Sequence, residues 1–183
     1  MNPYKAEMYK SWRRRNAPYL IAICLAMVVV LLGAPEVHDG KGMEPTLRDG
    51  DVVIVSKHDY SQKRGIPERE RVVILEKARS LDAADDNIIA RVIALPGETV
   101  EIKNGEVLVN GKTYVTEKGV SGASGRDMKV KLKDSEVFVL GDNREADGPD
   151  SRNSKLGPVN MKDDIKGNVL LRVWPLKDFG RVK

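Results

Sequence analysis

The chain has 183 residues, of which 41% are hydrophobic and 32% charged, which is enough for one packed domain with residues left for a membrane anchor. Its formal net charge is +4, and acidic residues lie between the basic ones. This argues against a nucleic-acid binder, which concentrates Lys and Arg on one face. The single cysteine, Cys24, leaves no internal disulfide and no cysteine-based metal site, and we expect neither a metal nor a cofactor.

The first predicted element is an apolar segment long enough to cross a membrane. Residues 16–35 carry no charge, and about 20 residues of helix span a hydrocarbon core about 30 Å thick. Three arginines at 13–15 precede it, so the positive-inside rule predicts a cytoplasmic tail at 1–15, a transmembrane helix at 16–35 and an extracytoplasmic domain at 36–183, held in the cell membrane. The alternative is a cleaved secretory signal, but residues 31–34, Leu-Leu-Gly-Ala, lack the small-residue pattern of a cleavage site.

Beyond the anchor, the pattern is typical of β-structure. Short runs rich in β-branched residues and bounded by turn formers predict strands at 51–55, 71–75, 88–95, 137–140 and 169–174. The dipeptides Asn104-Gly105 and Asn110-Gly111 favour tight hairpin turns and predict a three-stranded meander over 100–103, 107–109 and 113–115. The polar stretches 58–70, 77–87 and 118–127 predict exposed loops. The predicted fold class is mainly β.

Three sequence boxes follow one another behind the predicted anchor. They read Gly-Lys-Gly-Met-Glu-Pro-Thr-Leu at 40–47, Arg-Val-Ile-Ala-Leu-Pro-Gly-Glu at 91–98, and Gly-Asp-Asn-Arg at 141–144 followed by Asp-Ser-Arg at 150–152. They closely resemble the boxes of the type I signal peptidases: Gly-x-Ser-Met-x-Pro-Thr-Leu, Lys-Arg-Val-x-x-Leu-Pro-Gly-Asp, and the Gly-Asp-Asn-Arg and Asp-Ser-Arg pair. By this ordered set the chain is identified as a member of that family. The resemblance implies an antiparallel β-sheet extracytoplasmic domain with one N-terminal transmembrane helix.

The family's chemistry is missing at two positions. The resemblance implies a serine nucleophile and a neutral lysine that takes its proton. Gly42 stands at the serine position and Ala90 at the lysine position, immediately before Arg91. Losing the nucleophile or the base of a serine protease lowers its rate by a factor on the order of a million. We therefore expect no appreciable peptidase activity from this sequence.

No other side chain is a good replacement for the missing groups. Lys41 is adjacent to Gly42, but neighbours in an extended chain point to opposite faces, so we expect it at the surface. We expect His38 to be solvated or interfacial, and His58 lies in a polar stretch. Four further hydroxyls have no recognisable neighbouring base: Ser56, Ser61, Ser151 and Ser154.

The third box differs from the family pattern in the interval between its two halves and keeps the pattern in the halves themselves. Residues 145–149 form an interval one residue longer than usual, and the serine that orients the lysine amine is replaced by Asp147 or Gly148, depending on the direction of counting. Four charged residues match positions at which the family holds its site loops together by charge-assisted hydrogen bonds: Arg91, Asp142, Asp150 and Arg152.

Substrate binding is a separate expectation. The resemblance implies that an extended signal peptide adds to a strand at 35–40, next to the nucleophile position. The residues expected to bind it are Val37, Asp39, Gly40, Met43 and Pro45. Glu36 and His38 replace residues that are more often apolar in the family, which alters the expected peptide pockets.

Three functions remain in contention. The favoured one is a non-catalytic homologue whose partners are exported preproteins or signal peptides and membrane lipid, and which acts as an assembly accessory or chaperone. The second is an active serine-lysine endopeptidase, either through an unforeseen group or in a parent sequence with serine at 42 and lysine at 90. The third is a structural membrane component.

Overall fold

The fold begins with one long helix. In the computed structural model, residues 3–57, 65–76, 87–114, 126–145, 150–152 and 156–182 are described. Helix α1 spans Pro3–Leu32, so it begins within the predicted tail and ends before the predicted segment does. It ends there because Ala34 and Pro35 already pair with a neighbouring strand. No helix in the described part of the chain combines the length and the hydropathy needed to cross a membrane.

The rest of the described chain is antiparallel β-structure. Twelve strands follow α1, and they are β1 Ala34–Val37, β2 Val52–Lys57, β3 Val72–Leu75, β4 Ile88–Ala94, β5 Thr99–Lys103, β6 Glu106–Val109, β7 Lys112–Thr113, β8 Met128–Lys131, β9 Glu136–Leu140, β10 Val159–Asn160, β11 Ile165–Trp174 and β12 Gly180–Arg181. A short 3-10 helix, Leu176–Asp178, lies between the last two. The prediction of a mainly β fold is confirmed, and all five runs of β-branched residues form strands.

The larger sheet brings distant parts of the sequence together. Its order is β1-β2-β11-β3-β4-β9-β10, with β12 added alongside β11, and every pairing is antiparallel. β1 therefore lies at one edge, paired with β2 alone among the described strands. β4 lies between β3 and β9, which places the second sequence box beside the third.

The smaller sheet contains the predicted meander. Its order is β7-β6-β5-β8, and β8 was not predicted. Asn104 and Asn110 have φ values of 49° and 52°, and the glycines after them have 83° and 78°, as tight hairpin turns require. The last predicted strand forms only at Lys112–Thr113, and Val115 lies outside the described residues. The three polar stretches expected to be loops also lie largely outside them.

The larger sheet carries a different apolar cluster on each face. Along β3 the side chains alternate, so Val72 and Ile74 face one way and Val73 and Leu75 the other. The Met43 cluster consists of Met43, Leu47, Val53, Val55, Val72, Ile74, Ile89 and Val169. The Ala90 cluster consists of Val73, Leu75, Ala90, Val92, Val137, Val139, Val159, Met161 and Ile165. A third cluster, which includes Phe138 and Val100, packs the smaller sheet against the larger.

Candidate functional site

The first sequence box folds as a compact turn that is closed at its base. The β1–β2 pairing continues past Val37, because the His38 N–H donates to the Asp51 carbonyl at 2.8 Å and the Gly50 N–H donates to the His38 carbonyl at 2.9 Å. Within the loop, the Leu47 N–H donates to the Met43 carbonyl at 2.9 Å. Met43 and Leu47 are fully buried and anchor the turn in the Met43 cluster.

Lys41 lies in this turn and not in an extended segment as expected. Lys41 is exposed, as predicted, but its carbonyl accepts a hydrogen bond from the Glu44 N–H at 3.2 Å. The segment is therefore not extended, and the exposure follows from the turn and not from strand alternation. Nearby, the Gly40 N–H donates to Asp49 Oδ1 at 2.9 Å and lowers the pKa of that carboxyl.

Gly42 is held in place through its backbone. Its carbonyl oxygen accepts a hydrogen bond from the Asn143 N–H at 2.9 Å. A Cβ built on Gly141 would lie 2.5 Å from the same oxygen, so only a glycine at 141 permits this approach. A Cβ built on Gly42 meets nothing within 4 Å. The position predicted for the nucleophile is therefore open to a side chain, although glycine provides none.

Ala90 lies beside this contact, within β4. It pairs with Val73 on one side, and on the other side the β4–β9 register pairs Arg91 with Leu140. Because the two strands are antiparallel, the same register places Ala90, the residue before Arg91, opposite Gly141, the residue after Leu140. Gly141 is the residue that contacts Gly42. Ala90 is 1% exposed and belongs to an apolar cluster with Val73 and Val139. The fold thus brings residues 42 and 90 together. Glycine has no side chain that could attack a carbonyl, and the methyl group of alanine cannot accept a proton.

A buried ion pair holds the second box to the third. Arg91 Nε donates to Asp142 Oδ1 at 2.7 Å and Arg91 Nη2 donates to Asp142 Oδ2 at 2.5 Å, and both side chains are almost fully buried. Arg91 Nη1 also donates to the Glu70 carbonyl at 2.7 Å. The Thr46 hydroxyl donates to Asp142 Oδ2 at 2.5 Å, which ties the first box to the same pair. Sequence reasoning gave Thr46 no role, although its place in the first box was a signal.

A second ion pair lies within one half of the third box, and both of its members bond to the other half. Arg152 Nη2 lies 2.8 Å from Asp150 Oδ2, and Arg152 Nη1 donates to the Arg144 carbonyl at 2.8 Å. Asp150 Oδ2 also accepts a hydrogen bond from the Gly141 N–H at 3.3 Å. Each of the four charged residues named from the motifs thus takes part in a charge-assisted hydrogen bond, Arg91 with Asp142 and Arg152 with Asp150. Asp147 and Gly148, the candidate counterparts of the orienting serine, lie outside the described residues.

The alternative hydroxyls have structural partners or are not described. The Ser151 hydroxyl is buried and accepts a hydrogen bond from the Val139 N–H at 3.0 Å. The Ser56 hydroxyl lies 3.5 Å from the Asn168 carbonyl, which it can donate to. His58, Ser61 and Ser154 lie outside the described residues.

His38 was predicted to be solvated or interfacial, and this is wrong. The residue is 4% exposed, and its backbone N–H and carbonyl continue the β1–β2 pairing. Burial lowers the pKa of His38, although Asp51 and Asp49 act in the opposite direction. Among the described residues, its Nε2 atom has no hydrogen-bond partner.

The expected peptide-binding residues lie around the edge strand. Val37, Asp39, Gly40 and Pro45 are exposed, whereas Met43 lies in the core. Glu36 does not project into an apolar pocket. Its carboxylate lies 2.5 Å from Lys166 Nζ and accepts a hydrogen bond from Asn87 Nδ2 at 3.1 Å. In the described ranges, no three His, Cys, Asp or Glu side chains are grouped in a way that could hold a metal ion.

The chain matches known proteins over most of its length. The family described as signal peptidase, peptidase S26, matches residues 12–174. A signal peptidase I of Bacillus amyloliquefaciens is 32% identical over 178 residues, which cover 90% of this chain and 89% of that protein. A signal peptidase IB of Staphylococcus aureus is 30% identical over 186 residues, covering 88% of this chain and 91% of the relative.

A solved structure is also similar. A signal peptidase I from Enterococcus faecalis aligns with a TM-score of 0.44 and 26% identity, covering 59% of this chain and 98% of that one. The family match spans far more than half of the chain, and it includes all three boxes. The chain therefore belongs to the signal peptidase family, peptidase S26.

Proposed function

We propose that this protein is a membrane-anchored, non-catalytic signal peptidase homologue that binds exported polypeptides in extended form. One observation carries the proposal. The Arg91–Asp142 pair joins the second box to the third, and the Thr46 hydroxyl and the Gly42 carbonyl join the first box to the third, while Gly42 and Ala90 have no reactive group.

The surrounding groups do not replace the missing chemistry. The Thr46 hydroxyl is engaged by Asp142, and the Ser151 hydroxyl is buried against the Val139 amide. A water at the open Gly42 position would need a base to activate it, and Ala90 cannot accept a proton. We therefore infer that the arrangement binds peptide without cutting it.

Peptide binding is supported by two incompletely paired strand edges. Among the described strands, β1 pairs with β2 alone, and the part of β4 before Arg91 pairs with β3 alone. Unpaired backbone N–H and C=O groups at such an edge can accept an added extended strand. The relatives' name, signal peptidase, points to the signal peptides of exported preproteins as the class of peptide.

A combined cleavage and crosslinking assay tests this function. The full chain in detergent, mixed with a preprotein, is expected to release no mature product above the no-protein control. A photoreactive amino acid placed at Val37 is expected to crosslink to the signal peptide, whereas the same group at Lys112, exposed on the smaller sheet, is not. Cleavage by the unaltered chain would refute the non-catalytic proposal. Equal crosslinking at both positions, or none, would refute the peptide-binding proposal.

Anchoring is supported by the sequence and by the exposure of α1. Residues 16–35 carry no charge, and the 17 or so helical residues from Asn16 to Leu32 extend about 25 Å. Tyr19, Leu20, Ile21, Ile23 and Met27 are exposed, and apolar side chains of this size are unfavourable in water. Together with the arginines at 13–15, these features support a cytoplasmic tail at 1–15, an anchor from residue 16 to the end of the helix at Leu32, and an extracytoplasmic domain that begins with β1.

Fractionation of cells expressing the chain tests the anchor. The protein is expected to stay with the membranes after alkaline extraction, because its helix would be embedded and not held by charge. External protease on spheroplasts is expected to digest the β domain and spare an epitope tag at the N-terminus. Release by alkali would contradict the anchor, and digestion of the tag in intact spheroplasts would contradict the orientation.

A further inference from the structure

We propose that His38, flanked by Glu36, forms a subsite that selects a hydroxyl-bearing residue, Ser or Thr, in the bound peptide. The inference rests on the proposed peptide-binding function and adds to it the chemical class of side chain that is recognised. It is carried by the placement of the two residues, by the unpartnered imidazole nitrogen and by the charges around it.

The two side chains lie on one face of the edge strand. Glu36 pairs with Val53, a member of the Met43 cluster, and two residues later His38 continues the same pairing opposite Asp51. Because side chains two apart share a face of a strand, Glu36 and His38 both face the side of the Met43 cluster. The hydrogen bond from Asn87 to Glu36 shows that the start of β4 faces this part of β1.

The backbone of His38 leaves the outer edge of β1 available. Its N–H donates to the Asp51 carbonyl and its C=O accepts from the Gly50 N–H. The backbone N–H and C=O groups that point away from β2 therefore belong to the residues on either side, Val37 and Asp39. Side chains directly opposite on paired strands have Cβ atoms about 4.5–5.5 Å apart. An added peptide would therefore bring one of its side chains within hydrogen-bonding reach of Glu36 and His38.

His38 has a hydrogen-bonding requirement that the described residues do not meet. The side chain is 4% exposed, and its Nε2 atom has no partner among them. A buried polar atom without a partner is rare and unfavourable. Glu36, by contrast, is already satisfied by Lys166 and Asn87. The imidazole is therefore the group that a ligand would satisfy.

The surrounding charges indicate which ligand group fits. Burial favours the neutral imidazole, which has one N–H donor and one acceptor nitrogen. A carboxylate is disfavoured because acidic side chains approach His38 from its own strand and loop: Asp39, Glu44, Asp49 and Asp51. A hydroxyl both donates and accepts, so it satisfies Nε2 in either tautomer.

Matched peptides test the selectivity. Short extended peptides that differ at one position, Ser against Ala and Thr against Val, are titrated into the full chain in detergent, and the position is scanned along the peptide. At one position the hydroxyl peptide is expected to bind about five-fold more tightly than its partner, as one buried hydrogen bond allows. In His38→Leu this ratio is expected to fall to about one, while His58→Leu, the same change at the other histidine, retains it.

A second measurement does not depend on how well His38→Leu folds. In the His58→Leu chain, His38 is the only histidine, so its imidazole ¹⁵N signals are unambiguous. The Thr peptide is expected to shift the Nε2 signal, and the Val peptide is expected to leave it near its free position. Equal shifts with both peptides would overturn the subsite.

The outcomes separate the two proposals. Binding of all peptides with no hydroxyl preference, or a preference that survives in a folded His38→Leu, overturns the subsite and leaves peptide binding intact. Failure of every peptide to bind the unaltered chain overturns peptide binding, and the subsite with it.

Discussion

The doubly substituted chain Gly42→Ser with Ala90→Lys is expected to cleave a preprotein, while neither single substitution does. A serine hydroxyl alone has no base to take its proton, and a lysine alone has no nucleophile to activate, so the two changes act as a unit. The measurement is release of mature protein from a preprotein in detergent. The difference between the double variant and either single one is expected to be several orders of magnitude, because losing one member of such a unit costs a factor on the order of a million.

The surroundings of both positions favour this result. A side chain at 42 meets nothing within 4 Å at its Cβ. A lysine at 90 would stand among apolar residues that include Val73, Val92 and Val139. Such surroundings disfavour the charged ammonium and lower the lysine pKa from about 10.4 toward the 7–8 range that a general base requires.

The matched control is Gly42→Ala with Ala90→Lys, which introduces the same lysine without a hydroxyl and should remain inactive. If this control cleaves as fast as the serine variant, residue 42 is not the nucleophile position. If the double variant stays inactive, the restored groups are not correctly aligned, and residues 145–149, which have no serine to orient the amine, are the next segment to change.

Removing one member of the Arg91–Asp142 pair is expected to cause the largest loss of stability. In Asp142→Ala, Arg91 keeps a positive charge at 2% exposure without its carboxylate, and an uncompensated buried charge of this kind costs about 3–5 kcal/mol. Thr46 also loses the acceptor that ties the first box to the third. The free energy of unfolding, measured by urea denaturation in detergent, should fall accordingly.

Two comparisons sharpen that prediction. Lys133→Ala removes an exposed partner of Glu136 and should leave the unfolding midpoint almost unchanged, because water screens such pairs. Arg91→Met combined with Asp142→Leu removes both charges and should recover part of the stability lost in Asp142→Ala. If Asp142→Ala and Lys133→Ala have similar effects, the buried pair does not hold the boxes together.

The parts of this fold that the sequence predicted are those governed by local chemistry. Runs such as 72–75 and 137–140 are rich in β-branched residues and form buried strands. The Asn-Gly dipeptides adopt the positive φ values that tight turns need. Motif positions also indicated charge-assisted hydrogen bonds at Arg91 and Asp142, and in the structure these two side chains form a buried pair.

The parts that were missed depend on contacts between distant segments. β8 and β12 are short and polar, and they form because neighbouring strands offer them backbone partners. His38 is buried and its backbone is bonded to Asp51 and Gly50, which its polar neighbours in sequence do not indicate. The turn at 40–47 likewise depends on Met43 and Leu47 finding a core formed by other strands.

The contact between Gly42 and Gly141 shows that folding and catalysis place different requirements on residue 42. The Gly42 carbonyl is fixed by Asn143 and by the absence of a side chain at 141, and the side chain of residue 42 takes no part in either contact. Changing residue 42 should therefore leave the melting temperature almost constant while it switches reactivity on or off. Selection for stability alone cannot preserve a nucleophile at such a position. Which residue stands at position 42 therefore depends only on whether catalysis is selected.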